Sequence, residues 1–134
     1  MKRTIVQTAG APAALGPYSQ GVLVEGGRTL YIAGQVPIDP QTGKLVGDGH
    51  IRVQTERVLD NIGAILQEAA MGFHDLVKIG IFLANFDDFA EVNEIYGRRF
   101  SDSPPARTTV QIARFPMGFL VEMDAIAVAS AKLK

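Results

Sequence analysis

The sequence predicts an α+β fold in which two helices pack on one face of a β-sheet. Two segments, residues 50–72 and 88–100, repeat their apolar residues with helical spacing, and several shorter segments alternate or run apolar as strands do. The elements follow the order strand, strand, helix, strand, helix, strand, strand. The 134 residues are enough for one domain, residues 1–134, and too few for two.

The N-terminal third predicts strands separated by turns. A short strand is expected at residues 4–7, followed by a loop over residues 10–21, where glycine and proline are frequent. Residues 22–24 and 30–33 flank a Gly-Gly pair, which predicts a β-hairpin. Prolines and a glycine between residues 37 and 43 predict further turns.

The first helix is predicted from about His50 onward. Asp48 lies just upstream, where an N-cap residue is expected, and Gly72 is typical of a helix end. The apolar residues with helical spacing are Val58, Leu59, Ile62, Ile65, Leu66 and Ala69.

A strand is predicted next, over residues 76–83. Alternation places four apolar residues on one face of that strand. These residues are Val77, Ile79, Ile81 and Leu83.

The second helix is predicted to begin at Asp88. Glu91 follows three residues later, which is the spacing of a capping box. The apolar stripe of this helix consists of Phe89, Val92, Tyr96 and Phe100. Two more strands are predicted at residues 107–113 and 120–128.

The pattern of the sheet predicts an oligomer. Two helices cover only one face of such a sheet. Several strands nevertheless carry apolar residues at both odd and even positions, and therefore on both of their faces. The uncovered face therefore needs a partner, most simply other copies of the same chain in a closed cyclic assembly.

Composition excludes several classes of function. The chain has no cysteine, which excludes disulfides, thiolate catalysis and Cys-ligated metals and fits a cytoplasmic location. A net charge of −1 without a basic stripe argues against nucleic acid as a partner. No apolar run approaches the roughly 20 residues of a membrane span. His50 and His74 lack metal-ligand spacing with each other, so no metal site is predicted from them.

The most informative motif is Pro104-Pro105 followed by Arg107. The proline pair forces an extended conformation, and Arg107 then begins a β-branched run, so stiff backbone holds it. A guanidinium offers a planar fork of donors that matches a carboxylate. Arg107 therefore predicts a pocket for a small carboxylate. The alternative is a solvated arginine or one paired with a surface acid.

Acidic residues interrupt the apolar C-terminal strand. Glu122 and Asp124 share one face of it by alternation. They are either acids at the solvated end of a strand or, for Glu122, a carboxylate near a subunit boundary that orients a water molecule.

Three further positions have both a structural and a functional interpretation. Tyr18, in a Gly/Pro-rich loop, is either a packing residue or a wall of a pocket. Gly34, at a strand end, either allows a ligand to approach the backbone or forms a bulge. Asn93, on the second helix, is either solvent-exposed or has a polar role.

These residues lie in segments that resemble the RidA (YjgF) family. The segments are residues 11–21 (APAALGPYSQG), 33–37 (AGQVP), 88–93 (DFAEVN), 105–107 (PAR) and 122–127 (EMDAIA). They occur in the family's order with compatible spacing, and the resemblance extends from about residue 4 to residue 129.

The resemblance implies a mixed sheet with two helices on one face. Three such units would pack with their sheets inward into a barrel-like homotrimer, with pockets at the subunit interfaces. The implied activity is hydrolysis of reactive 2-imino acids to 2-oxo acids and ammonia, which protects pyridoxal-phosphate enzymes. Arg107 would bind the substrate carboxylate and Glu122 would position the attacking water, with no cofactor.

The resemblance also implies roles for the other pocket residues. Backbone groups at Gly34 and Thr109 would hold the carboxylate and the imine end, while Tyr18 and Asn93 would shape the pocket. Two positions depart from the common pattern: many members carry cysteine where this chain has Thr109, and serine where it has Ala33.

Two other functions are compatible with the same family. An endoribonuclease or translation inhibitor is disfavoured by the absence of a histidine pair, a basic surface and an aromatic stacking motif. A non-catalytic or chaperone-like trimer that binds small carboxylates predicts Arg107-dependent binding of 2-oxo acids without turnover.

Overall fold

A computed structural model describes residues 1–100 and 102–131, and these form eight strands and two α-helices. The strands are β1 (Lys2–Val6), β2 (Gly21–Glu25), β3 (Arg28–Gln35), β4 (Ile38–Asp39), β5 (Lys44–Leu45), β6 (Leu76–Leu83), β7 (Ala106–Gln111) and β8 (Val121–Ala129). The helices are α1 (Ile51–Glu68) and α2 (Phe89–Gly97), and 3₁₀ turns precede β6 and α2.

The central sheet has four strands in the order β3, β8, β6, β7. β6 and β7 are parallel, whereas β8 is antiparallel to both β3 and β6, so the sheet is mixed. This arrangement confirms the predicted α+β class.

The predicted hairpin between β2 and β3 is wrong. Gly26 (φ 76°) and Gly27 (φ 87°) make a tight turn, but β2 pairs with β1 while β3 pairs with β8. At Gly27 a methyl group would lie 2.5 Å from the carbonyl oxygen of Ala129. The turn is thus packed against the end of β8 and passes the chain from one sheet to another.

The two helices pack on one face of the central sheet, as predicted. α1 contacts α2, β3 and β8, and the apolar side chains of all these elements form one core. The largest fully buried apolar side chains are Tyr96, Leu59, Ile62, Leu66, Leu76, Ile79, Ile81, Leu83, Ile95, Met123 and Val58.

The predicted ends of α1 need correction. The N-cap residue is His50, without a side-chain hydrogen bond, instead of Asp48. Gly49, with φ 75°, turns the chain between the two, and Asp48 lies beside Gly118. The helix ends at Glu68 because Ala70 adopts a left-handed φ of 57°, before Gly72 is reached.

α2 begins where predicted but without a capping box. Asp88 is the N-cap residue, yet its helical backbone angles leave the side chain without a capping hydrogen bond. Asn85 caps the preceding turn instead, where its Oδ1 accepts a bond from the Asp87 N–H. Phe100, predicted within the helix, lies after its end and packs against the core.

The predicted face of β6 holds except at Val77. The pairing with β8 shifts between Leu76 and Lys78, so a bulge interrupts the alternation there. Leu76 is therefore fully buried in the core, whereas Val77 is only half-buried.

The other face of the central sheet carries no helix. Tyr31, on β3, is 76% exposed, and Val110, on β7, is 41% exposed. Glu122 and Asp124 lie on this same open face of β8, between inward-facing apolar neighbours. The open face agrees with the predicted oligomer contact, while the assembly itself stays a prediction.

Gln54 connects α1 to the start of β8. Its side chain is fully buried, and Nε2 donates hydrogen bonds to the carbonyl oxygens of Gly47 and Gly118, both 3.1 Å long. Its Oε1 accepts a 2.7 Å bond from the Leu120 N–H. The strand that bears Glu122 is thus fixed, two residues upstream, to the helix layer.

We expect Gln54→Leu to lower the free energy of unfolding by about 2–5 kcal/mol, because it leaves buried backbone groups without partners. Urea denaturation checks this. The matched control is Gln67→Leu, on the exposed side of α1, which should change stability by no more than about 0.5 kcal/mol. Equal effects of the two substitutions would contradict the structural role.

Candidate active site

The Pro-Pro segment holds Arg107 and Tyr18 side by side. The Ser19 hydroxyl donates to the carbonyl oxygen of Pro104, and the Ser19 N–H donates to that of Pro105. A single parallel bridge between Ser19 and the residue before Arg107 continues this pairing. The loop that carries Tyr18 is therefore fixed against the start of β7.

Arg107 lies among three aromatic rings. Its Cζ is 5.0 Å from the ring centre of Tyr18, 5.6 Å from that of Phe89 and 5.3 Å from that of Tyr96. Its Nη1 donates a 2.5 Å hydrogen bond to Oδ1 of Asn93. Phe89, Asn93 and Tyr96 are spaced by four and three residues, so one face of α2 supplies two of the three rings and the amide, while the loop before β2 supplies Tyr18.

Arg107 has no acidic partner within residues 1–100 and 102–131. Burial lowers the pKa of Arg107, and the nearby Tyr96 and Tyr18 hydroxyls partly oppose that shift. A guanidinium stays protonated at neutral pH even so. The site therefore holds a half-buried positive charge whose remaining donors are free to bind an anion.

A cavity of about 300 Å³ opens beside this guanidinium. Its lining residues are Leu15, Tyr18, Phe86, Phe89, Arg107 and Thr109. Among the described residues, the buried Oγ1 of Thr109 has no hydrogen-bond partner. A larger cavity of about 760 Å³ lies beside the N-terminal loop, but the described residues that line it include no cationic side chain. The smaller cavity is thus the better match for a carboxylate ligand.

Tyr96 presents a second unpartnered hydroxyl beneath Arg107. The side chain is fully buried, and its Oη has no hydrogen-bond partner among the described residues. Burial raises the pKa of Tyr96, although the Arg107 charge opposes the shift. Tyr96 therefore contributes a neutral ring to the Arg107 site.

Glu122 and Gly34 make a separate close contact. A methyl group on Gly34 would lie 2.0 Å from Oε2 of Glu122, so only glycine leaves room for the carboxylate. The pairing of β3 with β8 also shifts between Ile32 and Gln35, so Gly34 lies in a bulge, while the approach of a ligand to its backbone stays a prediction.

Arg107 and Glu122 lie on opposite faces of the sheet. Residues directly opposite each other on neighbouring strands share a face. Arg107 is opposite Ile79, which is opposite Ala125, and both of these are buried in the helix-side core. Glu122 is instead opposite Phe82, on the open face. Within one chain, the carboxylate does not reach the Arg107 cavity.

The structure thus divides the predicted site residues into two groups. Tyr18, Asn93, Arg107 and Thr109 come together on the helix side, whereas Gly34 and Glu122 come together on the open face. Sequence reasoning assigned Phe89 and Tyr96 to the core stripe and did not recognise Phe86 or Leu15 as pocket residues. Asn93, between Phe89 and Tyr96 on one helix face, was the signal that this stripe also forms part of a polar site.

Residues 1–100 and 102–131 contain neither a metal-binding cluster nor a membrane-spanning helix. That part of the chain contains no group of three or more His, Cys, Asp or Glu residues placed to hold a metal ion. Its helices include none long and apolar enough to cross a membrane.

Comparison with known proteins identifies relatives along most of the chain. The family model described as endoribonuclease L-PSP matches residues 8–129. A RutC family protein of Pyrococcus abyssi is 46% identical over 127 residues, which are 95% of this chain and 98% of that protein. The 2-iminobutanoate/2-iminopropanoate deaminase of Bos taurus is 48% identical over 126 residues, which are 94% of this chain and 90% of that protein. The crystal structure of RidA from an Antarctic Psychrobacter matches with a TM-score of 0.71 and 40% identity, covering 94% of this chain and 99% of that one.

Proposed function

This chain belongs to the RidA family, and from that premise we propose that it is a 2-iminobutanoate/2-iminopropanoate deaminase. It would hydrolyse reactive 2-imino acids to 2-oxo acids and ammonia, and so protect pyridoxal-phosphate enzymes from these intermediates. Support comes from the deaminase description of the mammalian relative, whereas the archaeal relative is described only as a RutC family protein.

The observation that carries the proposal is the unpaired guanidinium of Arg107. A half-buried cation enclosed by aromatic rings loses much of its hydration, and no acid among the described residues compensates the charge. A bound carboxylate restores that compensation through two parallel N–H donors. Asn93 holds the fork in one orientation, so little ordering is required when the ligand binds.

In the proposed mechanism, Arg107 binds the carboxylate of the 2-imino acid, and the Thr109 hydroxyl and backbone help to hold the substrate. The imine carbon is bonded directly to that carboxylate, so binding also fixes the reacting atom. The missing side chain of Gly34 leaves room for the Glu122 carboxylate, so Gly34 and Glu122 together would face the imine end of the substrate.

Glu122 acts as the general base. It accepts a proton from water while the water oxygen bonds to the carbon of the nitrogen-protonated imine, and the π electron pair of the C=N bond moves to nitrogen. The proton passes from Glu122 to the amine nitrogen of the adduct. The hydroxyl proton then returns to Glu122 as the C=O bond forms, the C–N bond breaks and ammonia leaves. The protonated carboxyl group of Glu122 finally releases its proton to solvent, so one water molecule is consumed in each turnover and no cofactor is needed.

This mechanism requires Glu122 from a second copy of the chain, because Arg107 and Glu122 of one chain lie on opposite faces of the sheet. We propose a homotrimer in which the open faces pack inward and the Arg107 cavity of one copy meets Gly34 and Glu122 of the next. Tyr31, which is 76% exposed, would be covered in that assembly.

Light scattering is expected to give three times the 14.4 kDa mass of one chain. The Tyr31→Glu variant should lower that mass, because it places a charge in the proposed contact. A monomeric wild-type protein at micromolar concentration would contradict the composite site.

A coupled assay tests the activity. An amino-acid oxidase generates the imine in solution, and semicarbazide traps the fraction that is not hydrolysed. Purified protein should suppress trapping, while the Arg107→Ala variant should not. If neither protein suppresses trapping but 2-oxo acids bind in an Arg107-dependent manner, the chain is a carboxylate-binding protein and the deaminase proposal fails.

A further inference from the structure

This inference rests on the proposed function and concerns which 2-imino acids are hydrolysed fastest. It is drawn from the apolar residues that line the Arg107 cavity. We propose that Leu15, Phe86 and Phe89 form an apolar wall for the α-side chain of the substrate. The preferred substrates are then imines of amino acids with large apolar side chains, phenylalanine first, in preference to 2-iminopropanoate.

The wall and the carboxylate anchor belong to one cavity. Phe89 touches both, because its ring lies 5.6 Å from Cζ of Arg107 and 5.0 Å from the ring of Phe86. The Phe86 and Phe89 rings are stacked, with 9° between their planes. In a 2-imino acid the side chain leaves the carbon next to the carboxylate, so a carboxylate bound by Arg107 places the side chain close to these rings.

The wall is exposed although it is apolar. Within one chain, Leu15 is 85% exposed and Phe86 is 46% exposed, so neither side chain is packed into the core of that chain. Both line the cavity beside Arg107. Stacking on an aromatic face stabilises a flat ring beyond the area that it buries, whereas a methyl group gains little from the same surface.

The 3₁₀ turn that carries Phe86 is held by hydrogen bonds. The Phe86 N–H donates a 2.8 Å hydrogen bond to Oε1 of Gln111, and Asn85 caps the same turn through the Asp87 N–H. These bonds fix the backbone at Phe86, and stacking against Phe89 positions the Phe86 ring, so less ordering is needed when a ligand binds.

The size of the cavity agrees with a large side chain. Its volume of about 300 Å³ lies at the lower end of the range for small-molecule sites. That volume leaves space beside Arg107 for a side chain larger than a methyl group, where Leu15, Phe86 and Phe89 line the cavity.

The test compares two imines, generated by an oxidase from phenylalanine and from alanine. Wild-type kcat/KM should be about tenfold higher for the phenylalanine imine. Phe86→Ala should remove most of that ratio, because it lowers kcat/KM for the phenylalanine imine much more than kcat/KM for the alanine imine. Phe86→Leu should retain part of it. The matched control is Leu23→Ala, which removes a 51% exposed apolar side chain outside the cavity and should leave the ratio unchanged.

A second measurement separates this proposal from the proposed function. Calorimetric titration with phenylpyruvate and pyruvate reports on the wall without turnover. Hydrolysis of neither imine would overturn the proposed function, while about tenfold tighter binding of phenylpyruvate, lost in Phe86→Ala, would still support the wall. Equal affinity for the two 2-oxo acids, or an equal loss of both activities in Phe86→Ala, would overturn the wall.

Discussion

Replacing Arg107 with lysine is expected to lower kcat/KM for imine hydrolysis by about 100-fold or more. A lysine ammonium retains the positive charge but has no planar fork, so it cannot bind the carboxylate through two parallel bonds. It also loses the flat contacts that place the guanidinium against the rings of Tyr18, Phe89 and Tyr96. Steady-state kinetics in the coupled assay measure the loss.

The control for this prediction is Arg98→Lys, an exposed arginine at the end of α2 that pairs with Glu94. Its activity should stay within about twofold of wild type, since exposed ion pairs contribute little. Near-wild-type activity in Arg107→Lys would show that charge alone is sufficient, and the bidentate arrangement would then be wrong. A fall in thermal stability that matches the fall in activity would instead indicate a structural role.

The fold follows from the sequence wherever periodicity is strong. The helical spacing of Val58, Leu59, Ile62 and Leu66 is that of a face buried in the core, and all four residues are fully buried there. The element ends and pairings follow less well, because they depend on distant contacts. Gly26-Gly27 has the composition of a hairpin turn, yet nothing local indicates that β3 pairs with β8 instead of β2.

For the candidate site too, some features follow from the local sequence and others depend on the fold. Local sequence singled out Arg107, Asn93 and Tyr18, and the fold brings these three residues together. The separation of Arg107 from Glu122 has no local signal, because it depends on which face of its own strand each residue occupies. The wall residue Phe86 was equally hidden, since it lies in a 3₁₀ turn that has no apolar repeat of its own.

The second large effect is expected for Glu122→Gln. The amide keeps nearly the same volume over Gly34, so the contact between β3 and β8 is retained. It cannot accept a proton from water, and kcat should fall by about 100-fold or more while binding of 2-oxo acids persists. Kinetics and calorimetric titration on the same preparation separate the two effects. A parallel loss of binding would indicate that Glu122 holds substrate instead of activating water.

Mixing variants then tests whether the site spans two chains. If each site takes Arg107 from one copy and Glu122 from the next, randomly mixed trimers of Arg107→Ala and Glu122→Gln should recover about a quarter of wild-type activity. A site within one chain allows no recovery, because every chain then lacks one of the two groups. Wild type mixed with the double variant is the matched control: it should retain about a quarter of wild-type activity for a composite site and about half for a site within one chain. The two mixtures together determine whether the opposite faces of this sheet meet only in the assembly.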